Sequence, residues 1–217
     1  MTVKEFSRKY LITNEVLNAT THGIAALLAI VGLVFLLIRG NQLNSTVHII
    51  AYSLYGATLI LLFLSSCLYH SLIFTRAKKI FQVFDHSSIF LLIAGSYTPY
   101  CLLAIGGPLG IGMLIAVWTL AILGVIYKSI AIPKSKGVNH LSTIIYVLMG
   151  WLCLIAVRPL YEALGTQGIV LLVLGGVSYT VGAIFYSFKQ VKFMHVVWHL
   201  FVMLGAGFMF FSIFLTT

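Results

Sequence analysis

Three histidines, one aspartate and one serine occur at regular spacing within apolar stretches of this chain. They form the motifs Ser66-x-x-x-His70 and His195-x-x-x-His199, with Asp85 between them in sequence. An ionisable group inside hydrocarbon costs several kcal/mol unless it is paired, so an apolar chain that keeps several of them uses them together. The residue types and their spacing therefore predict one polar site assembled from separate parts of the chain.

The spacing of these residues favours a zinc site. Residues four apart lie on the same face of a helix, so His195 and His199 can bind one ion, and Ser66 shares a face with His70. Adding His70 gives three nitrogen ligands and an open fourth position for water, as in catalytic rather than structural zinc. We then expect Asp85 to act as a general base towards that water, and Ser66 to orient it or to donate to a developing oxyanion.

A polar network without metal is the alternative, because membrane histidines and isolated His-x-x-x-His pairs are often structural. His86 points about 100° away from Asp85 around a helix, so we expect it to support the site or to face lipid rather than to bind metal. Near the N-terminus, Glu15, Asn18 and His22 recur on one face as a polar stripe. A carboxylate is stabilised by the helix dipole at a helix N-terminus, which explains the presence of Glu15. His22 lies deeper in the membrane and is therefore expected to have a partner within the bundle.

The composition identifies an integral membrane protein. Hydrophobic residues make up 61% of the chain and charged residues 8%, and the mean hydropathy is +1.09. These values exclude a water-soluble globule. Each crossing of about 30 Å of hydrocarbon takes about 20 apolar residues, so the 217 residues are expected to form one domain, residues 1–217. The three cysteines have no paired spacing, which disfavours disulfides and a cysteine-bound metal.

The predicted fold class is an all-α membrane protein, a seven-transmembrane helix bundle. The expected helices are 15–38, 48–74, 80–104, 109–130, 140–157, 167–188 and 193–216. Of the 13 lysines and arginines, eleven, including Lys128, fall on one side of these spans and two on the other. Because positive charge is retained in the cytoplasm, the N-terminus is expected inside and the C-terminus outside. Topology and anionic lipid headgroups account for the net charge of +9, so no nucleic-acid partner is required.

This topology places the candidate site near one membrane face. A helix rises about 1.5 Å per residue, so the distance of each residue from its basic anchor gives its depth. On this measure His70, Asp85, His195 and His199 all lie roughly 5 to 10 Å below the cytoplasmic boundary. Three different helices are therefore expected to deliver the site residues to one layer.

These motifs, in this order, resemble those of the bacterial hemolysin III proteins, the prokaryotic branch of the progestin and adipoQ receptor (PAQR) family. The resemblance spans all seven helices and is carried by Glu15-x-x-Asn18-x-x-Thr21-His22, Ser66-x-x-x-His70, Asp85-His-Ser leading into Gly95-Ser-Tyr-Thr-Pro99, and His195-x-x-x-His199.

This resemblance, with a more distant one to the alkaline ceramidases, implies a ligand set and a location. It implies Zn2+ on His70, His195 and His199, with Asp85 and Ser66 around the bound water. A bacterial member is expected in the cell (inner) membrane as a multi-pass protein. Receptor members carry a sizeable cytoplasmic N-terminal region, whereas 14 residues precede the first expected helix here. Partner binding through such a region is therefore not expected.

Three functions are consistent with these features. The first is a zinc-dependent hydrolase that cuts an amide or ester in a membrane lipid. The second is a non-catalytic membrane-homeostasis regulator or receptor with structural zinc and a lipid ligand. The third is a pore-forming cytolysin, as the family name implies, although a pore needs polar residues along the whole crossing and these cluster at one end. A homodimer through glycine-bearing helices remains open.

Overall fold

The computed structural model describes residues 7–132, 140–188 and 190–217, without the side chain of His140. All regular secondary structure in these ranges is helical. The expected loop 133–139 lies outside the described residues. So do four of the basic residues counted for topology, namely Lys4, Lys134, Lys136 and Lys189. The cytoplasmic position of the N-terminus therefore stays a prediction.

The helices follow the apolar stretches of the sequence. They are α1 (Arg8–Gln42), α2 (Thr46–Ser71), α3 (Lys78–Pro99), α4 (Gly107–Ala131), α5 (His140–Gly150), α6 (Val157–Ser187) and α7 (Met194–Thr216). A π-helical segment, Tyr100–Ile105, continues α3 beyond its proline, and a 3-10 segment, Trp151–Ala156, joins α5 to α6.

Helix α1 begins seven residues before the expected start at residue 15. Ser7 caps it, because its side-chain oxygen accepts a hydrogen bond from the backbone N–H of Tyr10 at 3.3 Å. Hydropathy alone does not indicate a helix in these polar first turns. The cap allows α1 to extend through them. Glu15 consequently lies two turns inside α1 rather than at its end.

Six helical runs of the described residues are long and apolar enough to cross a membrane, which makes this a multi-pass membrane protein. The expected fifth and sixth helices fall within a single 47-residue run, Leu141–Ser187. A hydrogen bond shows that this run folds back on itself. The indole N–H of Trp151 donates to the hydroxyl of Thr180 at 3.0 Å. In a straight helix these two residues would lie about 43 Å apart.

The reversal coincides with a glycine in the left-handed region. Gly165 has φ 62° and ψ −174°, whereas the residues around it are helical. Gly106, which separates the π-helical segment from α4, has almost the same conformation, with φ 61° and ψ −171°. A side chain disfavours this backbone conformation, so glycine permits both tight turns.

Small residues bring the site-bearing helices close together. A Cβ at Gly95 of α3 would overlap the side chain of Thr58 in α2, so only glycine allows this approach. On α7, a Cβ at Gly205 would lie 3.0 Å from the ring of Tyr179 in α6. The motif glycine Gly95 thus sets the spacing of α2 and α3.

One end of the bundle collects the motifs. There α2 ends, α3 begins, α4 ends and α7 begins, and α1 begins there as well, since it runs antiparallel to α2. We call this the histidine end of the bundle. His70 is the second-last residue of α2, and His195 is the second residue of α7.

Candidate metal centre

His70, His195 and His199 meet at the histidine end. Each offers a ring nitrogen, and these three atoms all lie within 4.8 Å of one another. The ring centroids are 5.1 Å apart for His70 and His195, 5.0 Å for His70 and His199, and 4.8 Å for His195 and His199. His70 and His199 are buried, and His195 is half-buried. Three imidazoles in this arrangement can bind one metal ion, and the sequence predicted the same three residues as ligands.

A carboxylate orients the ring of His70. Glu15 Oε2 lies 2.5 Å from His70 Nδ1, across a gap of 55 residues in sequence. The carboxylate accepts a hydrogen bond from Nδ1–H, which leaves the lone pair on Nε2. His70 Nε2 is buried and has no hydrogen-bond partner among the described residues. A histidine ligand of zinc typically has an unprotonated Nε2 and donates its Nδ1–H to a carboxylate, and His70 has this arrangement.

A hydroxyl orients the ring of His199 in the same way. The Thr21 hydroxyl donates to the backbone carbonyls of Leu17 and Asn18, at 2.9 and 3.0 Å. Its oxygen also lies 3.3 Å from His199 Nδ1. When the hydroxyl donates to a backbone carbonyl, its oxygen accepts from the Nδ1–H tautomer of His199, and that tautomer offers Nε2 to a metal. Thr21 belongs to the first motif of the sequence analysis, which assigned it no role because its contact with His199 spans 178 residues.

His22 supports the site by packing rather than by offering a fourth nitrogen to the group. Its ring stacks on that of His199, with centroids 3.6 Å apart and planes at 6°. His22 is 3% exposed, and Asn18, one turn earlier, is fully buried. Asn18 and His22 of the polar stripe therefore face the bundle interior. Both ring nitrogens of His22 are buried and have no hydrogen-bond partner among the described residues, so its observed partner is the stacked ring of His199.

Ser66, Asp85 and His86 line one cavity together with His195 and His199. The Ser66 hydroxyl is buried and has no hydrogen-bond partner in the part of the chain that is described. Asp85 Oδ2 lies 3.5 Å from His86 Nδ1. His86 Nδ1 donates to the backbone carbonyl of Gln82 at 2.8 Å, so its approach to Asp85 is the longer of its two contacts. The two residues named as catalytic share a cavity with two of the proposed ligands.

This cavity has a volume of about 480 Å³ and extends along the bundle. On α7 its lining runs from His195 to Met209, and 14 residues of helix span about 21 Å. Apolar side chains such as Leu62, Ile93 and Val202 make up most of the wall. The cavity is therefore long and mostly apolar, and its charged and imidazole side chains lie towards the histidine end.

Residues 10–210 match the family model described as haemolysin-III related. The chain belongs to the hemolysin III family. It is 42% identical to Hemolysin-3 of Bacillus cereus over 213 residues, which cover 98% of this chain and 96% of that protein. It is 44% identical to the Hemolysin-3 homolog of Bacillus subtilis (strain 168) over 204 residues, 94% of each chain.

A more distant relative is the monocyte to macrophage differentiation factor of Homo sapiens. The identity is 30% over 203 residues, which cover 90% of this chain and 81% of that protein. No solved structure gave a significant match. The family predicted from the motifs is confirmed. The matched residues extend from α1 into α7, so the family match includes every helix of the bundle.

The contact between Glu15 and His70 leads to a first prediction. Replacing Glu15 with glutamine keeps an oxygen that accepts from His70 Nδ1–H but removes the negative charge that makes the ring a better ligand. We expect zinc affinity to fall about 10- to 100-fold, measured by competition with a fluorescent zinc chelator.

Glu162 offers a matched control. Its carboxylate pairs with Arg158 at 2.9 Å and is well exposed. The substitution Glu162→Gln makes the same chemical change away from the histidines and should leave zinc affinity unchanged. Equal affinity of the Glu15→Gln variant and the wild type would show that the carboxylate does not support a metal ligand.

Proposed function

We propose that this hemolysin III protein is a zinc-dependent hydrolase that cleaves an amide or ester bond in a membrane lipid. One observation carries the proposal. A group of three histidines able to bind a metal lies at the polar end of a long apolar cavity that Asp85 and Ser66 also line.

The proposed setting is a single seven-transmembrane domain, residues 1–217, in the bacterial inner membrane. The reversal within Leu141–Ser187 supports seven crossings, since a straight 47-residue helix would be about 70 Å long. That length is more than twice the hydrocarbon thickness of about 30 Å. The positive-inside rule supports a cytoplasmic N-terminus, which places the histidine end and the reaction at the cytoplasmic face.

Zn2+ is the metal that the donor set fits best. Three imidazoles with one open position are typical of catalytic zinc, and His70, His195 and His199 would hold it. When bound, zinc polarises a carbonyl and lowers the pKa of water at its open position to about 7. Glu15 and Thr21 fix the ring orientations that this binding requires.

The remaining steps belong to side chains of the cavity wall. Asp85 accepts a proton from the attacking water and returns it to the nitrogen or oxygen of the leaving group. The Ser66 hydroxyl, buried without another partner among the described residues, donates to the carbonyl oxygen as negative charge develops there. Water adds to the carbonyl carbon, the C–N or C–O bond breaks, and a carboxylic acid and an amine or alcohol are released.

The apolar part of the cavity would hold the acyl chain of the substrate. Its walls extend about 21 Å from the histidine end along α7, a length that accommodates a long-chain acyl group. Burial of the chain there places the carbonyl beside the polar end and excludes water from the rest of the site. A membrane lipid is therefore the proposed substrate.

The test is release of fatty acid by the purified protein. Lipid amides and esters labelled in the acyl chain are incubated with protein in neutral detergent, and the free acid is quantified. We expect turnover that falls at least about 100-fold when zinc is removed by a chelator and returns when zinc is added. Bound zinc without turnover on any lipid would favour a structural metal in a regulator. Metal-independent conductance in liposomes would favour a cytolysin.

A further inference from the structure

We propose that Lys128 is an anion-binding residue of the cavity and that it holds the carboxylate or phosphate of a single-chain lipid. This inference rests on the proposed function, because it names the charge of the lipid that the hydrolase site accepts. It assigns a role to a buried charge that the proposed reaction does not use.

Lys128 lies inside α4, three residues before the helix ends at Ala131. The sequence places it among the eleven basic residues of one membrane side. In the structure it is 5% exposed and lines the cavity with Gln82, Asp85 and Tyr146. No other lysine or arginine among the described residues is buried. A lysine that reached out to the membrane surface would be exposed at its tip, so the usual explanation for a basic residue near a helix end does not apply.

Among the described residues, little balances the charge of the ammonium. No described carboxylate lies within ion-pair distance of it. Its nearest aromatic neighbour is Tyr146, whose ring centroid is 5.9 Å from Lys128 Nζ, close to the limit of a cation–π contact. The Tyr146 hydroxyl already donates to the backbone carbonyl of His86 at 2.8 Å. A buried cation without a partner costs several kcal/mol, and an anionic ligand in the cavity would offset that cost.

The position of Lys128 also suits a lipid headgroup. It approaches the cavity from α4, whereas His195 and His199 approach from α7, and all three residues lie at the histidine end. An acyl chain extending towards Met209 would place its polar group between the lysine and the histidines. Carboxylate and phosphate form charge-assisted hydrogen bonds with an ammonium, whereas a neutral hydroxyl gains much less.

The experiment compares three probes of equal chain length: hexadecanoate, hexadecyl phosphate and hexadecanol. None contains an amide or carboxylic ester bond, so binding is measured without turnover. Trp151 and Trp198 line the cavity, so chain-brominated versions of the probes report binding to the zinc-loaded protein by quenching tryptophan fluorescence. The quantity of interest is the affinity for an anionic probe divided by the affinity for hexadecanol. Because all probes have the same chain, nonspecific binding of the chain contributes equally to both affinities and drops out of the ratio.

For Lys128→Met, which keeps the length of the side chain without its charge, we expect the ratio to fall about 10- to 100-fold. Hexadecanol affinity should stay within about threefold of wild type, which shows that the cavity is intact. Lys128→Arg should retain most of the ratio. If the methionine variant does not fold, Lys128→Gln carries the same expectation. A greater loss for hexadecyl phosphate assigns a phosphate headgroup, and a greater loss for hexadecanoate assigns a carboxylate.

The matched control is Lys79→Met, which removes an exposed charge at the same end of the bundle. An equal fall in this variant would attribute the preference to general surface charge and overturn the proposal. An unchanged ratio in the Lys128 variants would also overturn it, whether or not the protein hydrolyses lipids. A lost preference in a protein without hydrolase activity would support the Lys128 site and refute the proposed hydrolase.

Discussion

We expect replacement of His199 with alanine to remove the proposed zinc from the purified protein. Structural zinc sites bind with apparent free energies of about 10–16 kcal/mol, so one of four ligands contributes roughly 3 kcal/mol. Its loss should weaken binding by at least about 100-fold. His199 is 1% exposed and its Nδ1 contacts Thr21, so its ring is fixed in the site of the wild-type protein. The measurement is zinc per protein by elemental mass spectrometry after equilibration with a competing chelator.

His48→Ala is the matched control, because it removes a histidine at the opposite end of the bundle. His48 Nδ1 lies 2.7 Å from the side chain of Ser45, at the start of α2. This variant should keep full zinc content. His70→Ala and His195→Ala should resemble His199→Ala, and zinc should raise the thermal midpoint of the wild type but not of these three variants. Full metal content in all three variants would refute the proposed centre.

We expect replacement of Asp85 with asparagine to lower the proposed lipid hydrolysis strongly while the zinc content is unchanged. Asparagine keeps the shape of the side chain but cannot accept the proton of the attacking water. General-base groups contribute about 10²- to 10⁴-fold to rate, so kcat for fatty-acid release should fall by that factor. Asp85 lines the cavity but is not one of the three grouped ligands, so zinc content should match the wild type.

Glu162→Gln serves again as a control, since it removes an exposed carboxylate and should leave kcat unchanged. Comparing zinc content with kcat separates the two roles that an acid near a metal can have. If Asp85→Asn lowers both the zinc content and kcat, Asp85 stabilises the bound metal instead of acting as a base. Turnover within about threefold of the wild type would show that another group accepts the proton.

The local features of the fold could be predicted from the sequence. Hydropathy identified the membrane-spanning stretches, because each must bury about 20 residues of apolar surface in lipid regardless of its neighbours. The expected helices 140–157 and 167–188 correspond to α5 with its 3-10 extension and to the main part of α6. The sequence did not predict that α1 begins at Arg8, since a capped polar turn has no hydropathy signal.

The part of the candidate site that depends on local helical spacing could also be predicted from the sequence. Helical spacing places His195 beside His199, and Ser66 beside His70, before any tertiary contact is known. The depth of each motif from its basic anchor placed the two pairs in one layer. Their convergence on atoms within 4.8 Å of one another also required the helices to face each other.

What the sequence alone determined is therefore the class of protein, the helices, the family and the residues able to bind a metal. Only the tertiary structure decided that Glu15 contacts His70, that Thr21 contacts His199 and that Lys128 faces inwards. The physical reason is that periodicity fixes which residues share a helix face but not how each helix is rotated against its neighbours. That rotation depends on the packing of small residues such as Gly95 and Gly205 between helices that are distant in sequence.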